Sequence, residues 1–82
     1  MKCPLIDRFS YRGTNIYLLD NGEITLSAYP NLDADLSFYT VIAVVYPGVV
    51  DGRDVLLGGG VDKEAAAEDA SGEAEFLIDQ NI

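Results

Sequence analysis

Histidine is absent from the 82 residues, cysteine occurs once, and basic side chains occur only five times. Without histidine, a zinc site has no imidazole ligand, and neither a hydroxyl nor the Cys3 thiol has an imidazole to activate it as a nucleophile. A lone cysteine forms no intrachain disulfide, which excludes the small secreted disulfide scaffold and fits a reducing cytoplasm. Long apolar runs are also missing. The longest, Thr40 to Val50, is interrupted by Pro47 and Gly48. It falls short of the ~20 residues that cross a bilayer, and the N-terminus lacks the apolar core of a signal peptide.

What the chain has in excess is acid. Fourteen Asp and Glu against five Lys and Arg set the net charge at −9. Residues 1–13 carry +2 from Lys2, Arg8 and Arg12 against Asp7, so the rest of the chain holds −11, that is −9 less +2. Such a surface repels phosphate backbones and anionic lipid, and it steers the chain towards cationic partners. Direct binding to nucleic acid or membrane is therefore not expected, and a basic protein partner is. The hydrophobic fraction of 49% and its patterned runs argue for a folded core, and the length allows a single domain over residues 1–82.

The pattern predicts an α+β fold, an antiparallel β-meander of about four strands over residues 14–57 with one C-terminal helix over 62–79 packed on one face. Asn21-Gly22 has the composition of a two-residue hairpin turn between Thr14–Leu19 and Glu23–Tyr29. That register opposes Leu19 to Ile24, Tyr17 to Leu26 and Asn15 to Ala28. It makes theirs the core side and leaves Ile16, Leu18, Thr25 and Ser27 as a mixed second face. Phe38–Tyr46, apolar at both parities, reads as a central strand covered on both faces. Asp51-Gly52 offers a second hairpin turn into Arg53–Leu57. Residues 1–13 are either an edge strand, from the alternation in Arg8–Arg12, or a mobile segment.

Gly58-Gly59-Gly60 is expected to end the sheet as a flexible connection, with Asp62 capping the helix. Ala66, Ala67, Ala70, Ala74, Leu77 and Ile78 share an arc of about 120°, and their small side chains predict close approach to the sheet. Gly72 lies outside that arc, where it costs about 1 kcal/mol relative to alanine.

On the same helical wheel Glu64, Glu68, Glu75 and Asp79 form an acidic stripe, at axial separations of roughly 6, 10 and 6 Å. Those intervals approach the spacing of phosphates along a nucleic-acid strand, although a solvated helix face has the same appearance. Phe76 falls beside the stripe, outside the alanine arc, where it is either an interface anchor or a second hydrophobic contact. Asn31-Leu32-Asp33-Ala34-Asp35 has the first oxygen spacings of a calcium loop. The motif then fails, with Leu36 where glycine is required and Ile42 where glutamate is required. Asp33 and Asp35 are instead expected to extend the acidic surface. The triple glycine lacks the Lys-Ser or Lys-Thr of a phosphate loop, and Asp62 and Glu64 oppose an anion there. No cofactor or metal is expected, and no residue set identifies a catalytic centre. An enzyme would require carboxylates of the 30s loop and the 50s hairpin to converge in a cleft.

In size, in the meander closed by one helix, in the absence of histidine and in the acidic helix face, the whole chain resembles the small phage-encoded inhibitors of the anti-CRISPR and DNA-mimic type. The resemblance is one of type, without a signature motif. It implies a non-catalytic, stoichiometric inhibitor in the cytoplasm of a bacterial host cell, occluding the nucleic-acid-binding surface of a defence component. Over Val55–Leu77 a strand, a glycine-rich loop and Asp62-Lys63-Glu64-Ala65 leading into an alanine-rich helix resemble the N-terminal domain of HicB-type antitoxins. That likeness implies binding to a basic toxin, but the DNA-binding segment usual in that family does not follow. A third expectation, of a different class, is a self-associating assembly protein, a homodimer or larger oligomer joined through the second sheet face with Ile16 and Leu18.

Overall fold

The computed structural model describes residues 3–26 and 36–82. Strands β1 (Leu5–Tyr11), β2 (Thr14–Leu26), β3 (Leu36–Tyr46) and β4 (Asp54–Gly60) pair antiparallel in the order β1-β2-β3-β4. A single helix, α1 (Lys63–Gln80), follows and packs on β2, β3 and β4. The expected α+β meander with a C-terminal helix is the fold that forms.

The core lies between the helix and one face of the sheet. Ile16 and Leu18 of β2 and Val41, Ala43 and Val45 of β3 point to that face, and Ala66, Ala70, Ala74 and Ile78 meet them from α1. All nine side chains are buried. The alanine arc of the sequence is thus the packed face of the helix, with Ala67 and Leu77 half-buried at its margins. Asp62 caps α1, its Oδ1 accepting from the Ala65 N–H at 2.8 Å.

The assignment of Asn21-Gly22 to a hairpin turn is corrected. β2 runs straight through it, and the positive φ of Gly22 (84°) serves a β-bulge between Asp20 and Gly22 opposite Val41 and Thr40. The two-residue turn lies earlier, at Arg12-Gly13, where φ values of 50° and 89° suit the twist of a tight β1–β2 hairpin. Moving the turn changes which parity is core. Ile16 and Leu18 are buried under α1 and unavailable for self-association, while Tyr17 and Leu19 face the other way. That is the one-residue consequence of a period-two chain.

Two further expectations change. β3 is central, but the helix covers only one of its faces. Gly58-Gly59-Gly60 does not end the sheet. These residues belong to β4 and pair with Val41, Thr40 and Tyr39. Gly58 and Gly60 lie beneath the helix, where a Cβ on Gly58 would stand 2.4 Å from the Ala70 backbone nitrogen and one on Gly60 2.6 Å from the Ala65 Cβ. Glycine and alanine together let a helix backbone rest almost directly on a strand backbone. Asp51-Gly52 is likewise no two-residue turn. It forms part of the connection 47–53, in which the Gly48 N–H donates to the Gly52 carbonyl at 3.0 Å.

Gly72 sits on the outer side of α1, and a Cβ there meets nothing within 4 Å. Gly72→Ala is therefore expected to stabilise the protein by about 1 kcal/mol through helix propensity alone. Urea denaturation should show a higher midpoint at unchanged slope. An unchanged or lower midpoint would show that Gly72 serves packing.

Candidate functional site

Two polar clamps fasten the helix to the sheet, one at each end. At the N-terminal end Asp20 of β2 accepts from the Tyr39 hydroxyl at 2.6 Å and from the Gly22 N–H at 2.9 Å, and it pairs with Lys63 at 3.3 Å. Lys63 also lies over the Tyr39 ring, 5.9 Å from its centroid. The Tyr39 hydrogen bond, ahead of the Lys63 charge, holds the Asp20 carboxyl below its usual range. At the C-terminal end Asp79 accepts from Arg12 at 2.7 Å and from the Tyr11 hydroxyl at 2.9 Å. Arg12, then Tyr11, lowers the Asp79 pKa. In return, Asp79 raises the pKa of the Tyr11 hydroxyl.

These clamps decide which carboxylates are already engaged within the fold. Asp79 is engaged by Arg12 and Tyr11, so the stripe read from the sequence loses its last member as a free charge. Glu64 and Glu75, exposed and half-buried, lie on the flank of α1 towards Asp7 of β1, and the exposed Glu68 stands on the outer ridge beside them. Asp7 joins them. With Leu18 and Ala67 among its lining, an open trough of about 440 Å³ brings Asp7 together with Glu64, Glu68 and Glu75. Asp7 shares the parity of Phe9 and Tyr11 and stands opposite Leu18, which puts it on the helix side of β1. The described residues form two ion pairs, Arg12–Asp79 and Lys63–Asp20, and neither reaches into this trough.

The opposite flank of α1 is different. Phe76 is 64% exposed. It borders an open groove of about 570 Å³ with Leu56, Gly72, Leu77, Glu68 and Glu73. Asp69, also at that groove, accepts from the Gly59 N–H of β4 at 3.0 Å and so covers part of an edge strand. The aromatic read beside the stripe thus stands on the surface, separated from the acidic trough by the outer ridge of the helix. Asp33 and Asp35 lie outside the described residues.

Among the described residues no group of three or more carboxylates or thiols is arranged to hold a metal ion, and no helix is long and apolar enough to cross a membrane. The Asn31–Asp35 loop lies outside them. What the trough offers chemically is a negative, partly apolar recess. Its floor suits the methylene stem of a lysine or arginine, and its rim suits the charged head. Comparison with known proteins finds no family model, no curated sequence and no solved structure that matches the chain.

Proposed function

We propose that this protein is a non-catalytic binding protein that presents the Asp7, Glu64, Glu68 and Glu75 trough to a basic, nucleic-acid-handling partner and competes there with nucleic acid. Four carboxylates around one recess, with Lys63 and Arg12 committed to Asp20 and Asp79, carry this reading. A cationic side chain entering it relieves mutual repulsion among the acids and replaces water at little steric cost. The phage-inhibitor resemblance supplies the setting, a bacterial defence component in a reducing cytoplasm, and the charge of −9 supplies long-range steering. Phe76 and its groove lie within reach of a partner broad enough to span the helix ridge, and an aromatic anchor beside charge is a common interface arrangement.

The test is a pull-down from bacterial lysate with the tagged protein, followed by elution with salt and with duplex DNA. Basic nucleic-acid-binding proteins should be retained at low salt and displaced by either agent. The variant carrying Asp7→Asn, Glu64→Gln, Glu68→Gln and Glu75→Gln should keep its circular dichroism spectrum and bind the recovered partner roughly 30-fold more weakly. Equal recovery by wild type and variant would remove the trough from the reading. Recovery that resists salt would remove electrostatics altogether.

A further inference from the structure

We propose that the face of the sheet opposite the helix is a self-association surface, on which a second copy of this chain packs face to face. The register builds two apolar rows across it, Tyr17–Val44–Val55 and Leu5–Leu19–Ile42–Leu57. Val55 and Leu57 are 60% and 56% exposed, although a strand presenting such residues normally buries them. Beyond the β2 bulge Ile24 and Phe38 continue the same face. The polar groups between the two parts are already paired. Asn21 Nδ2 donates to Thr40 Oγ1 at 2.9 Å, and Thr40 Oγ1 donates to the Gly22 carbonyl at 2.8 Å. Both bonds persist when the face is covered.

Charge selects the occupant. Every carboxylate on the described strands avoids this face. Asp7 pairs opposite Leu18, Asp20 opposite Val41, Glu23 opposite Tyr39 and Asp54 opposite Val45, all on the helix side, while Arg8, opposite Tyr17, is the one charged strand residue on the open side. For a chain of net charge −9, this is where two copies meet without opposing carboxylates. A basic partner, by contrast, finds no counter-charge there. The area also suffices. From strand spacing and rise the sheet face measures roughly 600 Å² per copy, about 1,200 Å² for a pair, at the lower end of stable specific interfaces. Two twisted antiparallel faces pack at about 10 Å, and a twofold axis makes one face complementary to itself. The two acidic helices then lie on opposite outer surfaces of the dimer.

Sedimentation equilibrium over a range of protein concentrations should show an association from 8.9 kDa to twice that mass. The dimer should hold or tighten between 50 and 500 mM salt, because screening relieves repulsion while apolar contact persists (a roughly tenfold range of salt). Val55→Glu and Leu57→Glu, at positions more than half exposed, should each shift the equilibrium to monomer by tenfold or more, whereas Glu68→Gln should not. Dilution of the wild type, followed by amide NMR, provides a reading that needs no variant. Signals of Tyr17, Leu19, Ile42, Val44, Val55 and Leu57 should move, and those of the outer face of α1 should not. A monomer at millimolar concentration, a dimer indifferent to both glutamates, or signal changes confined to the helix would each overturn the proposal.

Discussion

Gly58→Val is expected to destabilise the protein by about 3 kcal/mol or more, at the upper end of overpacking costs and a large share of what so small a domain possesses. The reason is the partner of the contact. A Cβ at Gly58 meets the Ala70 nitrogen, Cα and Cβ at 2.4, 2.6 and 2.7 Å, so no rotamer change relieves it and the helix itself must rise from the sheet. Lifting the helix opens the layer occupied by Ala66, Ala70 and Ala74, whose methyl groups are too short to follow. Gly59 is the internal control. Its Cβ points to the other face, where the nearest atom is the Tyr39 carbonyl oxygen at an ordinary 3.6 Å. Gly59→Ala should therefore be neutral or gain up to about 1 kcal/mol from reduced chain entropy in the unfolded state. Urea midpoints for the two variants decide the matter. Coincident midpoints would mean that the helix does not rest on β4 as closely as Ala70 and Gly58 require.

Asp54→Ala should cost about 3 kcal/mol at pH 7, from the loss of charge-assisted hydrogen bonds at a site that water reaches poorly. Asp54 is 9% exposed, and its carboxylate accepts from the N–H groups of Val49, Val50 and Asp51 at 2.7, 3.1 and 3.0 Å. Burial by itself pushes the carboxyl pKa up, but the three backbone donors outweigh it, and the group sits below its usual range. The folded state therefore binds this proton less readily than the unfolded chain, in which an aspartate titrates near ~3.9. The stability from Asp54 is present in full above about pH 5 and is lost as pH falls through the folded pKa. Asp54→Asn separates this effect from the general relief of repulsion as the other acids protonate. Wild type should exceed it in stability at pH 7, with the gap closing as pH falls through the folded pKa of Asp54, where a protonated Asp54 and an asparagine offer similar hydrogen-bonding groups. A gap independent of pH would mean that shape, and not charge, organises the 47–53 connection.

The acidic surface and the bare sheet face lie on different sides of the molecule. Among the described residues, carboxylates cluster around the helix and along the helix-facing side of the strands, and the side that the helix leaves open is mostly apolar, with Arg8 its one charged strand residue. A dimer joined through that open side would carry two acidic troughs pointing away from each other, so one particle would engage two basic sites without either trough being covered. A variant of the open face would then separate avidity from recognition. It should halve the particle, leave each trough intact, and lower retention only on surfaces dense enough to be bound twice.

Several elements are legible in the sequence. Small residues recurring at helical spacing from Ala66 to Ile78, an aspartate at the cap and an apolar run over Phe38–Tyr46 are local signals, and each names its own element because period and capping chemistry act within a few residues. The close helix-to-sheet approach follows from the same wheel, whereas Phe76 is left open by it between an exposed anchor and a second hydrophobic contact, and the structure exposes it. The acidic stripe was legible only as a row of side chains. Whether a carboxylate in it is free depends on what stands opposite. For Asp79 that is the tight turn at Tyr11-Arg12, more than sixty residues away in the chain.

Register was not legible, for a physical reason. Asn-Gly supplies positive φ equally to a hairpin turn and to a bulge, and the sequence alone does not distinguish Asn21-Gly22 from Arg12-Gly13 as the point where the chain reverses. That choice carries the parity of β2 with it, and hence which of Ile16 and Tyr17 enters the core. The sequence by itself determined the acid excess, the helix and its packed face, and an antiparallel sheet. Only the tertiary structure decided where β2 turns, which glycines lie beneath the helix, and that Asp7 and not Asp79 completes the acidic trough, because those outcomes depend on contacts between residues that local chemistry cannot bring together.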